Sequence, residues 1–223
     1  CPNLSTLDKS TVGKIEAHAI QLDGVDDALN AGPMNDLAGR SFTVAFWAKR
    51  ITVNNRAHFV VGQGSTSSNR GLQIGFRDNS KFTCAFYDND LTTAAAYTDT
   101  DWHHWACTYD VVSGQRVIYR DGVRVAQDTS ASAYLGSGDL WLGRSPTYGY
   151  FGGAIDEVQL YPQALAQADI VALTQTSRQS TVLAPNGSGV ANWSYTVPTV
   201  EGNYRLDLYG MDTANVASSC REI

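Results

Sequence analysis

Short runs of alternating apolar and polar residues recur along most of the chain, separated by Gly, Asp, Asn and Ser. A period of two is that of a strand with one buried face, and the separating residues favour tight turns. Asp121 and Gly122 lie between two such runs and favour a two-residue hairpin, because this turn needs positive φ angles. The predicted strands are 17–22, 41–50, 57–62, 71–77, 81–87, 102–110, 115–120, 123–127, 140–143 and 153–161. So many short strands predict an all-β sandwich or barrel.

One segment departs from the strand pattern. In 167–173 the apolar residues Ile170 and Leu173 fall at helical spacing, with Leu165 near the same side, which predicts one short helix. An exposed turn is the alternative. Glu and Lys, which are common on exposed helices, are rare in this chain, so we expect little other helix.

The composition changes toward the C-terminus. Residues 176–188 are rich in Ser, Thr, Asn, Gly and Pro and are typical of a linker. Two further strands are predicted beyond it, at 190–197 and 203–210. We therefore divide the chain into a domain of residues 1–176 and a C-terminal segment, 177–223. This segment contains a linker and a β appendage too small to be stable alone, so we expect it to pack on the domain.

Charge and the lengths of the apolar runs argue against two kinds of partner. Asp and Glu number 22 and Lys and Arg 16, which gives a formal net charge of −6. Nucleic acid is therefore not an expected partner, because binding to phosphates requires a basic surface. No apolar run approaches the about 20 residues that span a bilayer, so we expect no membrane insertion.

The even number of cysteines predicts disulfides. Cys84 and Cys107 lie in two strand-like runs on either side of 88–101, a turn-rich segment. If these runs pair antiparallel, the two cysteines face each other and a cross-strand disulfide is geometrically possible. A second bridge, between Cys1 and Cys220, would join the two ends of the chain. Disulfides need an oxidising compartment, so we expect a secreted or cell-surface protein, with free thiols in a cytosolic protein as the alternative.

Several segments, in this order and spacing, resemble the concanavalin A-like, laminin-G-type jelly-roll domains of bacterial surface proteins. These segments are 21–28, 42–49, 102–110, 119–123, 142–144 and 150–161, followed by 164–165. The resemblance covers about residues 15–175 and implies a two-sheet antiparallel jelly-roll sandwich. It also implies a mostly non-catalytic module that binds carbohydrate or protein, often with a structural calcium, among the neighbouring domains of a large extracellular protein. Residues 180–219 are more loosely similar to the last strands of a bacterial immunoglobulin-like module.

A calcium site is predicted from carboxylates. By the period of two, Asp156 shares one strand face with the apolar residues Ala154, Val158 and Leu160. A carboxylate in an apolar row must be paired, hydrogen-bonded or bound to a metal. The turn after the first strand offers partner ligands, namely Asp23, Gly24, Asp26 and Asp27. Calcium prefers such carboxylate and carbonyl oxygens, and the resemblance implies the same site. The alternative is that these are ordinary turn residues and that Asp156 caps backbone amides.

Two other motifs resemble metal sites less well. The acidic segment 88–101 fails the EF-hand pattern at Thr92 and Thr93, so we expect a solvated loop, with a second ion site as the alternative. His103 and His104 are adjacent on a strand and point to opposite faces, so they cannot bind one ion together. We expect His104 to be a packed, hydrogen-bonded core residue.

Loop aromatics are the better candidates for ligand contacts. Trp47, Trp105 and Trp141 lie inside strand patterns and are expected in the core. A sugar site needs an aromatic face and a few placed polar groups. The candidate ligand residues are Tyr97, Arg144, Tyr148 and Tyr150.

The acidic residues do not predict catalysis. The resemblance extends to laminarinase-type glycosidases, which place two Glu and one Asp at alternate positions of one strand, since hydrolysis needs two carboxylates at one site. No such Glu pair occurs among Glu16, Glu157, Glu201 and Glu222. Asp pairs with this spacing, such as Asp88 and Asp90, lie in the turn-rich segment. The common hydrolase and nucleotide-binding motifs are absent as well.

The sequence therefore favours a non-catalytic extracellular binding or adhesion module that recognises a glycan or glycoprotein, with a structural calcium. The alternative is a structural spacer or assembly domain of a large surface protein, without a small ligand of its own. A glycosidase is the third hypothesis. An aromatic-lined groove favours the first hypothesis, a featureless polar rim favours the second, and a carboxylate pair in the groove favours the third.

Overall fold

The computed structural model describes residues 10–15, 18–33, 37–146 and 148–175, together with the backbone of 204–205. Almost all of the regular structure in these residues is β. The strands are β1 (Ser10–Thr11), β2 (Ala19–Asp23), β3 (Leu29–Pro33), β4 (Phe42–Arg50), β5 (His58–Gly64), β6 (Gly71–Phe76), β7 (Lys81–Ala85), β8 (Asp90–Ala96), β9 (His103–Tyr109), β10 (Gln115–Arg120), β11 (Val123–Thr129), β12 (Asp139–Leu142), β13 (Gly152–Tyr161) and β14 (Tyr204–Arg205). The helix is α1 (Gln167–Gln175).

The strands form two antiparallel sheets. The back sheet has the order β1-β2-β13-β4-β9-β10-β11, with β14 also pairing with β13. The front sheet has the order β3-β12-β5-β6-β7-β8. The predicted all-β, two-sheet jelly-roll sandwich with one short helix is thereby confirmed. None of the helices in the described residues is long and apolar enough to cross a membrane.

Alternating apolar side chains fill the space between the sheets. Trp105 of the back sheet stacks on Phe82 of the front sheet, with ring centroids 4.0 Å apart. Phe76 meets both rings edge-on. Burying such a side chain contributes about 2 kcal/mol or more, so this aromatic cluster is a main source of the attraction between the sheets.

A disulfide joins Cys84 to Cys107, with their Cα atoms 6.1 Å apart. The predicted pairing is therefore confirmed, but the predicted cross-strand geometry is wrong. Cys84 lies in β7 of the front sheet and Cys107 in β9 of the back sheet, so the bond crosses the core. The reason is that 88–101 contains a strand, β8, instead of a simple turn between β7 and β9. Cys1 and Cys220 lie outside the described residues.

The predicted helix is confirmed as α1, which covers part of the outward face of the back sheet. Its buried residue, Ile170, packs in a small second core with Leu165 and Leu173 at its margin. The back-sheet members of this cluster are Ala45, Ala106, Val117 and Tyr119. The outward face of the front sheet is therefore the side of the sandwich opposite this helix.

The C-terminal segment enters the described residues only at β14. Its backbone pairs Tyr204 with Leu160 and Arg205 with Gln159 of β13. The rest of the predicted appendage, 177–223, lies outside the described residues.

Candidate functional site

The outward face of the front sheet carries polar side chains among small ones. The apolar side chains of β6 point into the core, so Gln73 points outward, as does Arg77 just beyond the strand. The cross-strand partner of Gln73 is Ala85, whose partner in turn is Asp90 of β8. The small side chain of Ala85 leaves space between Gln73 and Asp90.

Arg77 lies across this face. Its Nη2 atom is 2.6 Å from Oδ2 of Asp90, and its guanidinium carbon lies 5.8 Å from the ring centroid of Phe59 in β5. The side chain therefore reaches from β8 toward β5, over the two strands between them. An exposed ion pair of this kind adds little stability, but it presents N–H donors and a carboxylate acceptor side by side.

Tyr148 stands beside this ion pair with much of its ring in solvent. The ring packs edge-on against Phe59, with centroids 5.6 Å apart, and its hydroxyl oxygen lies 3.5 Å from Nε2 of Gln73. The side chain is nevertheless 44% exposed. We call Phe59, Gln73, Arg77, Asp90 and Tyr148 the Tyr148 patch. It combines the exposed ring of Tyr148 and the partly exposed Arg77–Asp90 pair with the buried side chains of Phe59 and Gln73 beside them.

Arg144 holds the loop that carries Tyr148. Its Nε donates to the carbonyl of Ser145 (2.9 Å) and its Nη2 to that of Pro146 (2.6 Å). Its Nη1 donates to the hydroxyl of Tyr150 (3.2 Å). The guanidinium also lies 4.8 Å from the ring centroid of Trp141 and 5.3 Å from that of Tyr150. Arg144 and Tyr150 therefore shape the loop.

Glycine allows this loop, whose described residues are 143–146 and 148–152 and which we call the 143–152 loop, to lie directly on β5. A Cβ atom on Gly62 would collide with the carbonyl oxygen of Arg144 and would come 2.6 Å from the Cα of Ser145. Two backbone hydrogen bonds also join the loop to β5. The amide of Gly143 donates to the carbonyl of Val60 (2.7 Å), and the amide of Phe59 donates to the carbonyl of Gly149 (2.9 Å). The loop is thus fixed by main-chain contacts.

His58 fixes the far end of the loop. Its Nδ1 accepts the amide hydrogen of Gly152 (3.1 Å), so the ring hydrogen resides on Nε2, which faces Oδ1 of Asn54 (2.9 Å). Burial lowers the pKa of His58, and the charges of Arg50 and Arg56 lower it further. The neutral ring that this contact requires is therefore the favoured form at neutral pH.

The turn of residues 23–27, here called the acidic turn, brings three carboxylates together. Ligand oxygens of Asp23, Asp26 and Asp27 all lie within 4.8 Å of one another. Oδ1 of Asp23 accepts the amide hydrogen of Val25 (2.8 Å), and Oδ2 of Asp27 accepts that of Asp23 (2.9 Å). Gly24 has a φ of 78°, which permits the tight turn. A compact set of carboxylate oxygens is the donor type that calcium prefers, so these residues fit the ion.

Asp156 is not part of this turn. A bulge at Glu157, with φ 49°, interrupts the alternation of β13, so that Ile155 and Val158 both point into the core and Asp156 points outward. Its Oδ2 accepts the amide hydrogens of Lys14 (2.7 Å) and Ile15 (3.2 Å). The prediction that Asp156 shares a face with Val158 is therefore wrong, and its carboxylate caps backbone amides.

The register of the strands also separates Asp156 from the acidic turn. Gly152, four residues before Asp156 in β13, is the cross-strand partner of Asp23. Four strand residues span about 13 Å, which is too far for both carboxylates to bind one ion. The acidic turn instead lies against both ends of the 143–152 loop. A Cβ on Gly143 would come 3.3 Å from the carbonyl oxygen of Asp27, and one on Gly24 would come 2.8 Å from the Cα of Gly152.

A laminin-G-type family model, described as the concanavalin A-like lectin/glucanases superfamily, matches residues 23–171. This range includes the acidic turn, the front sheet, most of the back sheet and most of α1, and covers well over half of the 223 residues. The chain belongs to this superfamily. The comparison with curated protein sequences gives no match.

Solved structures show the superfamily fold at low sequence identity. Domain 4 of an extracellular GH43 arabinanase from Geobacillus stearothermophilus, in complex with arabinotriose, is 20% identical, with a TM-score of 0.61 over 74% of this chain and 80% of that domain. The CBM40 of a Ruminococcus gnavus sialidase, bound to α2,3-sialyllactose, is 18% identical, with a TM-score of 0.53 over 70% of this chain and 97% of that one. A Trypanosoma rangeli sialidase is 15% identical, with a TM-score of 0.54 over 74% of this chain and 28% of that one.

Within this superfamily fold, three of the four predicted ligand residues come together, namely Arg144, Tyr148 and Tyr150. Tyr97 does not join them. Its ring packs edge-on against Trp105, with centroids 5.0 Å apart, and the guanidinium of Arg120 lies 4.6 Å from its centroid. Burial raises the pKa of Tyr97, although Arg120 opposes this. Tyr97 therefore covers an edge of the core.

The acidic residues of 88–101 contact separate partners and do not form one site. Asp88 accepts a hydrogen bond from Ser68 (2.9 Å), while Asp90 pairs with Arg77. Asp99 lies 2.8 Å from Nη2 of Arg120. Burial would raise the pKa of Asp99, but the charges of Arg120 and His103 outweigh it and hold this pKa below its usual range.

The adjacent histidines point to opposite sides, as predicted. His103 lies between two carboxylates, 2.8 Å from Asp99 and 2.6 Å from Asp121. His104 is buried and packs edge-on against Trp47, with centroids 5.5 Å apart. The prediction of a packed His104 is confirmed, but its Nδ1 has no hydrogen-bond partner among the described residues. Burial lowers its pKa to about 4, with a small opposing effect of Asp121.

Five residues of the front face were not predicted as site residues. Phe59 belongs to β5, Gln73 and Arg77 to β6 and its end, and Asp90 to β8. Trp141, expected in the core, is half-buried on the outward side beside Arg144. The signal for Gln73 and Arg77 is present in 71–77, where small or polar residues alternate with apolar ones. Asp90 carries no such local signal, because only the pairing of β7 with β8 brings it to Arg77.

Proposed function

We propose that this chain is a non-catalytic glycan-binding module of an extracellular protein and that the Tyr148 patch is its binding surface. The observation that carries the proposal is the exposed ring of Tyr148 beside the Arg77–Asp90 pair and Gln73. Sugars bind to proteins through an aromatic face and a few fixed polar groups, and this patch supplies both. Glycans carried on a glycoprotein are equally suitable ligands.

The comparisons support this proposal. Two structures of the same fold were solved with oligosaccharides, one with arabinotriose and one with α2,3-sialyllactose. At 20% and 18% identity they show the fold alone, so the choice of surface rests on the residues of this chain.

The positions of the front-face carboxylates support a non-catalytic role. Asp90 is paired with Arg77 in β8, and Asp139 of β12 accepts a hydrogen bond from Asn30 (2.7 Å). Glycoside hydrolysis needs two carboxyl groups about 5–9 Å apart. Strands β8 and β12 are separated by three others in the front sheet, which places these two carboxylates about 19 Å apart. Asp88, two residues before Asp90, accepts a hydrogen bond from Ser68 (2.9 Å), while Asp90 is paired with Arg77.

We further propose that calcium binds in the acidic turn and has a structural role. Asp23, Asp26 and Asp27 supply oxygen ligands, and the turn touches Gly143 and Gly152 at the two ends of the binding loop. An ion there would stabilise the loop that carries Tyr148 without contacting the glycan directly. Calcium would then raise both the melting temperature and the affinity for the glycan.

The test is a glycan and matrix-protein array, probed with wild type and with Tyr148→Ala, in calcium and in EDTA. We expect wild type to bind a glycan and Tyr148→Ala to lose about 1–3 kcal/mol of affinity, since an aromatic platform is removed. Tyr161→Ala, which removes a half-buried tyrosine from the back sheet, is the matched control. If folded wild type binds no glycan, the spacer hypothesis is favoured. If Tyr148→Ala binds like wild type, the glycan contacts another surface.

A further inference from the structure

We infer that the Tyr148 patch selects uncharged saccharides over acidic ones such as sialylated or uronic-acid glycans. This inference rests on the proposed function and names the class of ligand that the same surface takes. Its basis is that the two guanidinium groups beside Tyr148, those of Arg77 and Arg144, already have partners within the protein.

The charge of Arg77 is balanced by Asp90, 2.6 Å away. A sugar carboxylate that approached Arg77 would have to displace Asp90 or lie close to its negative charge, and either arrangement is unfavourable. A neutral sugar meets no such conflict. One hydroxyl accepts a hydrogen bond from a remaining N–H of Arg77 while a second donates to the carboxylate of Asp90, and the ion pair stays intact.

Arg144 makes three hydrogen bonds within the protein. Its Nε, Nη1 and Nη2 atoms donate to Ser145, Tyr150 and Pro146, and its planar group lies close to the rings of Trp141 and Tyr150. Recognition of a carboxylate by arginine depends on two parallel N–H donors along one edge of the guanidinium. Three of the five N–H groups of Arg144 already donate within the loop, one from each nitrogen, so a ligand carboxylate would have to compete with these contacts. Arg144 is therefore a positioning residue for the loop.

The remaining groups suit an uncharged ring. Tyr148 offers an exposed aromatic face for the C–H side of a sugar, and the amide of Gln73 lies beside its hydroxyl group. The formal net charge of −6 acts in the same direction, because it disfavours the approach of anionic glycans at low ionic strength. Local pairing and overall charge therefore both favour neutral ligands.

The experiment compares matched neutral and acidic glycans. The probes are lactose with 3′-sialyllactose, and galactan with polygalacturonate oligosaccharides, together with arabinotriose as a further neutral probe. We expect the strongest ligand to be neutral and its acidic counterpart to bind at least about tenfold more weakly. The Kd of the neutral ligand should change by less than about twofold between low and high NaCl, because no net charge is neutralised on binding.

Two variants separate the charge argument from general damage to the surface. Asp90→Asn leaves Arg77 without its carboxylate partner. We therefore expect the affinity for the acidic glycan to rise about tenfold relative to the affinity for the neutral one. Lys81→Gln removes a cation from the neighbouring part of β7 without altering the Arg77–Asp90 pair, and we expect it to leave the preference unchanged. Circular dichroism checks that both variants are folded.

Different outcomes identify different errors. If wild type binds an acidic glycan as tightly as, or tighter than, its neutral counterpart, and salt weakens that binding, the inference about charge is wrong while the glycan-binding function stands. The inference also fails if Asp90→Asn leaves the ratio of affinities unchanged. If no probe and no arrayed glycan binds folded wild type, the proposed function itself is wrong.

Discussion

At the scale of the residue, buried histidines make the stability of this fold sensitive to acid. His104 is buried against Trp47, and burial lowers its pKa to about 4. In the unfolded chain its pKa is about 6.5, so between these values the unfolded state binds a proton that the folded state does not. This contribution to stability is complete above pH 6.5 and is lost as the pH falls toward 4. Burial also lowers the pKa of His58, so this residue adds to the same loss of stability in acid.

We therefore expect the free energy of unfolding to fall by about 3 kcal/mol through His104 between pH 6.5 and pH 4. Urea denaturation at a series of pH values measures this loss. His104→Gln should show a smaller loss over the same range. Equal pH dependence of wild type and His104→Gln would contradict the assignment.

Asp156 and Asp27 are both buried carboxylates, but they have different roles. Asp156→Ala removes the acceptor of the Lys14 and Ile15 amides and should cost about 1–3 kcal/mol of stability, because these hydrogen bonds are charge-assisted. The melting temperature of Asp156→Ala should still rise on addition of calcium. Asp27→Asn should abolish that calcium-dependent rise, because it removes a ligand of the acidic turn.

Thermal unfolding with calcium and with EDTA distinguishes the two residues. A calcium response that disappears in Asp156→Ala would place Asp156 at the ion, contrary to its distance from the turn. A response that persists in Asp27→Asn would remove the acidic turn as the calcium site.

At the scale of the element, the 143–152 loop can lie directly on β5 because Gly62 has no side chain. Gly62→Ala would force its Cβ against the backbone of Arg144 and Ser145, so the loop must move. We expect a loss of about 2 kcal/mol of stability and a larger relative loss of glycan binding. Urea denaturation and titration with the bound glycan measure these two effects.

Gly152→Ala is the matched control at the far end of the same loop. The nearest heavy atom to its added Cβ is 3.4 Å away, which is an ordinary contact. This variant should keep both stability and binding. If Gly62→Ala behaves in the same way, the close approach of the loop to β5 has no functional role.

The elements show which parts of the structure a single sequence can predict. Most strands followed from alternation, because burial of one face is a local property. The strand β8 did not, because its run of threonines and alanines shows no alternation of apolar and polar residues, and its pairing with β7 and the packing of Leu91 in the core stabilise it. The bulge at Glu157 was also not predictable from alternation, and it places Val158 and Leu160 on the face opposite Asp156, since one extra residue shifts all later side chains. Of the site, Tyr148, Tyr150 and Arg144 were predictable because they are close in sequence.

At the scale of the whole molecule, the Cys84–Cys107 bond joins the two sheets through the core. Replacing both residues by alanine should lower the free energy of unfolding by about 3 kcal/mol, because the unfolded chain loses a constraint over a sequence separation of 23 residues. Urea denaturation measures the change. Both sulfurs are buried, so reductant should act on native wild type only as fast as it unfolds. Rapid reduction of the native protein would contradict this burial.

The fixed backbone of the 143–152 loop has a kinetic consequence. Because the loop is held by His58, Phe59 and Val60 without a ligand, binding should require no loop closure and should occur in a single phase whose rate rises linearly with glycan concentration. Tyr148 is 44% exposed, so a sugar on its ring would remain partly in solvent, dissociation should be fast and a single contact weak. Firm attachment to a glycan-coated surface would then come from many copies of the module acting together, and their spacing, more than the chemistry of any one site, would determine the residence time.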